Sequence, residues 1–192
     1  MTRQTILDAA SHEIHRHGFQ AASLKRILAR TGLTKGALYH HFPNKRVMGY
    51  AVVEERLARM VDEDWLRPLE VAPDPIDCLK ERLTKFTEIA GEDDLLLGCP
   101  LNNLALELSP SDEGFRIRLN RIYDRWREGL AAALRRGQAS GQVRPDIDAL
   151  ETATFIVGAM AGCRSLAKNA QSAELMKGCC QSLFKYWDSL RA

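Results

Sequence analysis

Ser23, Thr34 and Asn44 stand about ten residues apart, each just before a short run with helical periodicity. No other feature limits the fold so tightly. Such side chains accept the orphan N–H groups at a helix start, so the spacing predicts two helices of two turns or less and the start of a third. In the first, Leu24, Ile27 and Leu28 share one face while Lys25, Arg26 and Arg30 point elsewhere. Thr31-Gly32-Leu33 reads as a tight turn. In the second, Ala37, Leu38 and Phe42 face inward, leaving Lys35, Gly36, Tyr39, His40 and His41 to a partner. Phe42, Pro43 and Asn44 end it, and Lys45 opens the next helix.

Two short helices joined by a glycine-bearing turn form the helix-turn-helix unit, whose second helix enters the major groove of DNA. Gly32, Leu33, Gly36, Leu38, Tyr39, His41, Phe42, Asn44 and Lys45 follow the hallmark pattern of the TetR family of transcriptional regulators, which this quarter of the chain resembles. Motif position assigns Lys35, Gly36 and Ala37 to base edges or groove walls. Ser23, Lys25, Tyr39, His40 and Lys45 are assigned mainly to phosphates, and Thr34 and His41 complete the DNA-facing set. Lys35 is the only obvious base-specific donor, because the reading helix holds no Asn, Gln or Arg.

Charge supports a polyanionic partner at one end only. From Met1 to Arg46 there are eight Lys or Arg against two acids, and from Val47 onward nineteen against twenty-three. All five histidines also lie in the first part. A basic module on a mildly acidic remainder is an electrostatic footprint for nucleic acid. His12 and His15 have no acid or cysteine at metal-ligand spacing, so no metal or other cofactor is expected.

The 192 residues suffice for a small head, residues 1–46, and a larger domain, residues 47–192, with its own core. No apolar run reaches a membrane span and no signal peptide is evident, so a cytoplasmic location without membrane contact is expected. The five cysteines are odd in number and lack zinc spacing. Reduced core residues are the simplest expectation.

Before the motif, Thr2 opens a helix to about His17 with Ile6, Leu7, Ala10 and Ile14 as its stripe, Gly18 as its stop and Phe19 plugging the head's core. After the motif, a longer helix runs from Lys45 to about Leu69, broken by Pro68, Pro73 and Pro75. Asp74 caps the next, which ends near Gly91 with Ile89 on its inward face. A loop from Glu92 to Gly98 leads to a short helix from Cys99 to Leu108. A long helix spans about Asp112 to Ala139, and its arginines, interspersed with acids, suggest an ion-paired face. Gly141 stops it. A further helix starts at Asp146 or Asp148, with a nearly all-apolar middle, and a last one covers about Ala173 to Leu190. The total is about nine helices in an all-α fold: a three-helix DNA-binding head followed by a helical ligand-binding and dimerisation domain.

The resemblance implies a homodimer on double-stranded operator DNA, repression as the family's habit, and release by a small effector. Two-fold symmetry sets the reading helices about 34–36 Å apart or somewhat wider, on a palindrome. Helices arranged around the family's pocket give Trp65, Phe86, Cys99, Asn102, Asn103, Glu107, Tyr123, Trp126, Phe155 and Met160 as candidates for a small apolar or aromatic effector. The family's last two helices pair with their copies, so Ile156, Gly158, Met160, Gly162, Cys163, Leu175, Cys179, Leu183 and Trp187 are the expected dimer seam. Gly98-Cys99 resembles a branch that includes thiol and electrophile sensors. Cys99 is therefore either a redox switch or a small packed side chain at a helix start. An enzyme is not expected, since no nucleophile, phosphate-loop or metal constellation is present. An architectural DNA binder remains the other competitor.

Overall fold

The computed structural model describes residues 2–89, without the Ile89 side chain, and 96–192. The expected stop at Gly91, the inward Ile89 and the start of the loop at Glu92 lie outside the described residues. Among the described residues there are nine helices. They are α1 Thr2–Ala21, α2 Leu24–Thr31, α3 Lys35–His41, α4 at 45–71, α5 Pro75–Ile89, α6 Pro100–Leu108, α7 Glu113–Ala139, α8 Ala149–Ala170 and α9 Ala173–Asp188. The chain forms two compact units, Met1–Met60 with Pro100–Ile122, and Val61–Cys99 with Tyr123–Ala192.

In the first unit, α1 to α3 close over Ile6, Leu7, Ala10, Ile14, Ile27, Leu38 and Phe42, all buried. Gly18 has φ 78, which ends the regular helix where the sequence places the stop, and Phe19 to Ala21 turn away beyond it. Phe19 does not plug the head's core. It is half-buried against Phe115 of α7, ring centroids 4.8 Å apart. Gly49 makes room for this pair, because a Cβ there would stand 2.5 Å from the Phe19 ring and 2.7 Å from Phe115.

Helix α4 does not break at Pro68. It widens into π-helical turns at Val52–Leu57 and Asp62–Leu66 and continues to Val71. Each wide turn advances the side-chain register, keeping Val52, Val53, Leu57, Val61, Trp65, Leu66 and Leu69 buried along a helix that a simple 3.6-residue period misjudges. Proline removes the N–H that would bond the carbonyl four residues back. Here that carbonyl belongs to Asp64, and Arg82 Nε donates to it at 2.7 Å.

In the second unit, α5, the later part of α7, α8 and α9 bury Ile76, Leu79, Trp126, Leu130, Leu134, Val157 and Trp187. Asp74 caps α5, accepting from the N–H groups of Ile76 and Asp77. Gly141, φ 74, follows α7, and Asp148 caps α8 through the Glu151 N–H at 2.7 Å. The arginines of α7 are largely ion-paired, Arg116 to Glu113, Arg118 to Glu54, Arg125 to Asp62 and Arg127 to Asp124. The apolar middle of α8 is not buried all round: Phe155 is 57% exposed and Leu166 58%.

Candidate nucleic-acid interface

All three caps read from the sequence form. Ser23 Oγ accepts from Arg26 N at 3.5 Å, Thr34 Oγ1 from Ala37 N at 3.2 Å, and Asn44 Oδ1 from Val47 N at 2.9 Å. Gly32 closes α2 in the left-handed region, φ 68, its N–H bonded to Leu28 O. These short-range bonds fix α3 as seven residues with Leu38 fully buried beneath it.

The outer edge of α3 is Lys35, Gly36, Tyr39 and His40, all exposed, with Ala37 and His41 half-buried. The Lys35 ammonium sits 5.7 Å from the centre of the Tyr39 ring. A Cβ on Gly36 would meet only Thr34 Oγ1, at 3.8 Å, so the helix surface there is thin and open. Lys25 is exposed on α2. Arg26 is otherwise engaged, donating to Glu13 Oε1 at 2.6 Å and to Ala21 O at 3.0 Å.

Lys45, assigned to phosphate, is half-buried and engaged within the chain. Its ammonium donates to Gln20 O at 3.0 Å and lies 5.0 Å from the centre of the Phe19 ring. Burial lowers its pKa, opposed by the nearby carboxylates of Glu107 and Glu13. Glu107 of α6, an effector candidate, accepts from Phe19 N at 2.8 Å and Gln20 N at 2.7 Å. Gly18 suits this junction, since its φ of 78 favours glycine and a Cβ there would stand 2.9 Å from Glu107 Oε2.

The other effector candidates divide between the units. Asn102 and Asn103 are half-buried in the first. In the second, Trp65 and Trp126 are buried with ring centroids 5.6 Å apart. Cys99 is buried and lies beside Tyr123, whose hydroxyl is pushed well up by burial and then by that neighbour. Arg164 donates to Gly98 O at 2.7 Å and stacks 4.5 Å from the centre of the half-buried Phe86 ring. Met160 is buried, whereas Phe155 faces outward against Tyr186 at 4.9 Å. Of the expected seam, Ile156, Met160, Leu183 and Trp187 are buried inside their own unit, because the α8–α9 hairpin needs a core of its own. Leu175, Cys163 and Cys179 are half-buried. Gly158 and Gly162 are exposed, with open space where a Cβ would point.

The family model for bacterial regulatory proteins of the tetR family matches residues 6–48, and that for the Tetracyclin repressor-like C-terminal domain matches residues 75–183. The chain belongs to the TetR family. As a TetR-family protein it is a helix-turn-helix, DNA-binding transcription regulator. The transcriptional regulator AcuR of Cereibacter sphaeroides is 28% identical over 155 residues, 77% of this chain and 68% of AcuR. The transcriptional repressor DhaR of Mycobacterium sp. GP1 is 24% identical over 161 residues, 83% of this chain and 79% of DhaR. A TetR transcriptional regulator from Chloroflexus aurantiacus superposes with TM-score 0.84 at 26% identity, covering 99% of this chain and 96% of that one. Reduced NemR of E. coli shares the fold at TM-score 0.84 and 19% identity, covering 100% of this chain and 98% of NemR.

The contacts that two carboxylates make with this TetR-type head, Glu13 within it and Glu107 on α6, escape sequence reasoning. Glu13 is buried on α1, accepting from Ser23 N at 3.0 Å and from Arg26 Nε, with His17 at 3.8 Å. Burial alone would raise its pKa, but these donors outweigh it and hold the carboxyl below the ordinary glutamate range. The signal available was an acid on the otherwise apolar side of an amphipathic helix. Glu107 had no such signal, since its partners lie 87 and 88 residues away.

Proposed function

We propose that the chain is a cytoplasmic homodimeric repressor that holds a near-palindromic operator through Lys35, Gly36, Ala37 and Tyr39, and leaves it when a small apolar or aromatic effector binds. The observation that carries the reading is the α3 edge, exposed and locally capped yet backed by fully buried Leu38. Such an edge suits groove entry without unfolding or rearrangement. Lys25 and Lys35 supply exposed ammonium groups toward the duplex, while Lys45 contributes mainly by holding Gln20. Among the described residues no helix is long and apolar enough to cross a membrane.

For the dimer, the support is the α8 stripe of Phe155, Gly158, Gly162 and Leu166, spaced so that all four share one face. Its glycines meet open space, as does Gly178 of α9, so the helices of a second copy can approach closely. For the effector, the candidate wall is Phe86, Arg164, Cys99 and Tyr123, joined through Gly98-Cys99. Effector binding acts only through different affinity for the DNA-bound and free arrangements. The buried position of Cys99 favours a packing role over a switch, and unchanged operator release by an electrophile in Cys99→Ser would end the thiol-sensor alternative.

The test is sedimentation together with operator titration by fluorescence anisotropy. Gly162→Glu should leave the protomer folded, since a side chain there meets nothing, yet give monomers with operator affinity reduced at least tenfold. A Gly162→Glu chain that remains dimeric overturns the seam. Lys35→Ala should flatten the salt dependence of binding by about 0.9 of slope per head; an unchanged slope removes Lys35 from the interface.

A further inference from the structure

Gln20 is held from two sides by charged groups of other helices. Gly18, φ 78 and ψ 164, breaks the regular course of α1, and beyond it the N–H groups of Phe19 and Gln20 turn to α6. Glu107 of α6 takes both, Oε2 accepting from Phe19 N at 2.8 Å and Oε1 from Gln20 N at 2.7 Å. From the other side Lys45, the first residue of α4, donates its ammonium to Gln20 O at 3.0 Å, with the Phe19 ring centre 5.0 Å away. Carboxylate and ammonium attract each other across a single residue. All of these groups belong to the first compact unit.

The gripped backbone leads straight to the reading helices. Arg26 of α2 fastens the next carbonyl, Ala21 O, at 3.0 Å, and Ser23 caps α2. Lys45 follows Asn44, which caps α4 just past the end of α3. The pairs Arg3 with Glu55 and Arg56 with Asp8 also tie α1 to α4, but neither of them reaches α6. Glu107 adds that further helix.

We propose that Glu107 and Lys45 are positioning residues for operator binding, which clamp the Phe19–Gln20 backbone between α6 and α4 and so set the half-site spacing that the dimer accepts. This deepens the dimeric operator reading and rests on it. A head carried on α4 alone can tilt, because that helix widens from Val52 onward, and tilting lets two reading helices settle on several spacings. Fastening the end of α1 to α6 as well removes that freedom, and a preorganised pair of heads favours one spacing. Neither group touches DNA in this role. Lys45 commits its ammonium to Gln20, and the carboxylate of Glu107 would repel phosphate.

The full-length chain first selects an operator from a pool of random-sequence duplexes, which is then made with one base pair added or removed between its half-sites. Glu107→Gln and Lys45→Met should each bind the selected operator about fivefold or more weakly while binding the altered spacings nearly as before, so that discrimination between spacings narrows. The salt dependence should keep its native slope, since neither group meets phosphate. In the free protein, Glu107→Gln should speed amide hydrogen exchange at Phe19 and Gln20 and leave Leu38 unchanged. Lys45→Met reaches the clamp without altering α6, so it carries the spacing test if Glu107→Gln folds poorly. An equal loss at every spacing means that the pair merely stabilises the fold, and overturns the proposal. So does unchanged exchange at Phe19 and Gln20, and so does a slope flattened by about 0.9 per head in Lys45→Met, which would put Lys45 on phosphate. A native chain that selects no duplex overturns the operator reading itself, and the exchange result still judges the clamp.

Discussion

The reading head and the second unit both start helices with local caps, but the second unit adds arginines that serve backbone carbonyls from another helix. In the head, Ser23, Thr34 and Asn44 each serve an N–H three residues on, and Gly32 closes α2 on its own last turn. In the second unit some backbone groups are completed from afar: Arg82 serves the carbonyl of Asp64 and Arg136 that of Leu69. A surface that must meet a duplex in a fixed shape gains from local bonds, which hold it whether or not the rest of the chain shifts. Bonds between elements, by contrast, can be exchanged when helices shift.

The largest expected effect tests how α1 holds the entrance of α2, because Glu13 accepts from both Ser23 N and Arg26. Glu13→Ala leaves Ser23 N and Arg26 without their acceptor and should cost about 1–3 kcal/mol in chemical denaturation. Its pH behaviour follows from sign. The folded pKa is depressed, so the stabilisation is fully present above the ordinary glutamate range and is lost as pH falls through the lower folded value. Glu13→Gln should therefore flatten the acid limb of stability against pH. An acid limb identical in both proteins would mean that the Glu13 charge does not stabilise the head.

The same contrast explains what could be read in advance. Caps and glycine stops depend on residues next to one another, so Thr34, Asn44, Asp74, Asp148, Gly18 and Gly141 were all legible. Of the candidate site, the exposed edge of α3 could be read because periodicity separates Lys35, Tyr39 and His40 from Leu38. The engagement of Lys45 with Gln20, and of Glu107 with Phe19 and Gln20, could not, because it requires knowing which helices meet. Nor could the exposure of Phe155, since an apolar run does not say whether its own chain or a copy covers it.

A smaller effect probes the second unit's dependence on distant donors. Arg82→Met should strand the Asp64 carbonyl and cost about 1 kcal/mol. Pro68→Ala restores an N–H able to reach that carbonyl along the helix, so it should be worth more in the Arg82→Met background than in the native chain. A double-mutant cycle on thermal midpoints measures the difference. Strict additivity would mean that Arg82 does not substitute for the proline's missing donor.

The smallest effect sharpens the head's side of the contrast, by ranking its three caps. Alanine at a cap position costs roughly 0.5–2 kcal/mol, and bond geometry should order the losses. Asn44 has the shortest bond at 2.9 Å, Thr34 follows at 3.2 Å, and Ser23 at 3.5 Å is at the limit of a hydrogen bond. Ser23→Ala should therefore fall near the bottom of the range, because the Glu13 carboxylate already holds the Ser23 backbone at the α2 entrance. Thr34→Ala should loosen α3 itself, so its operator affinity should fall by more than its stability loss alone explains. If Ser23→Ala proves the costliest of the three, the start of α2 depends on its own hydroxyl, and the Glu13 carboxylate does not hold that entrance by itself.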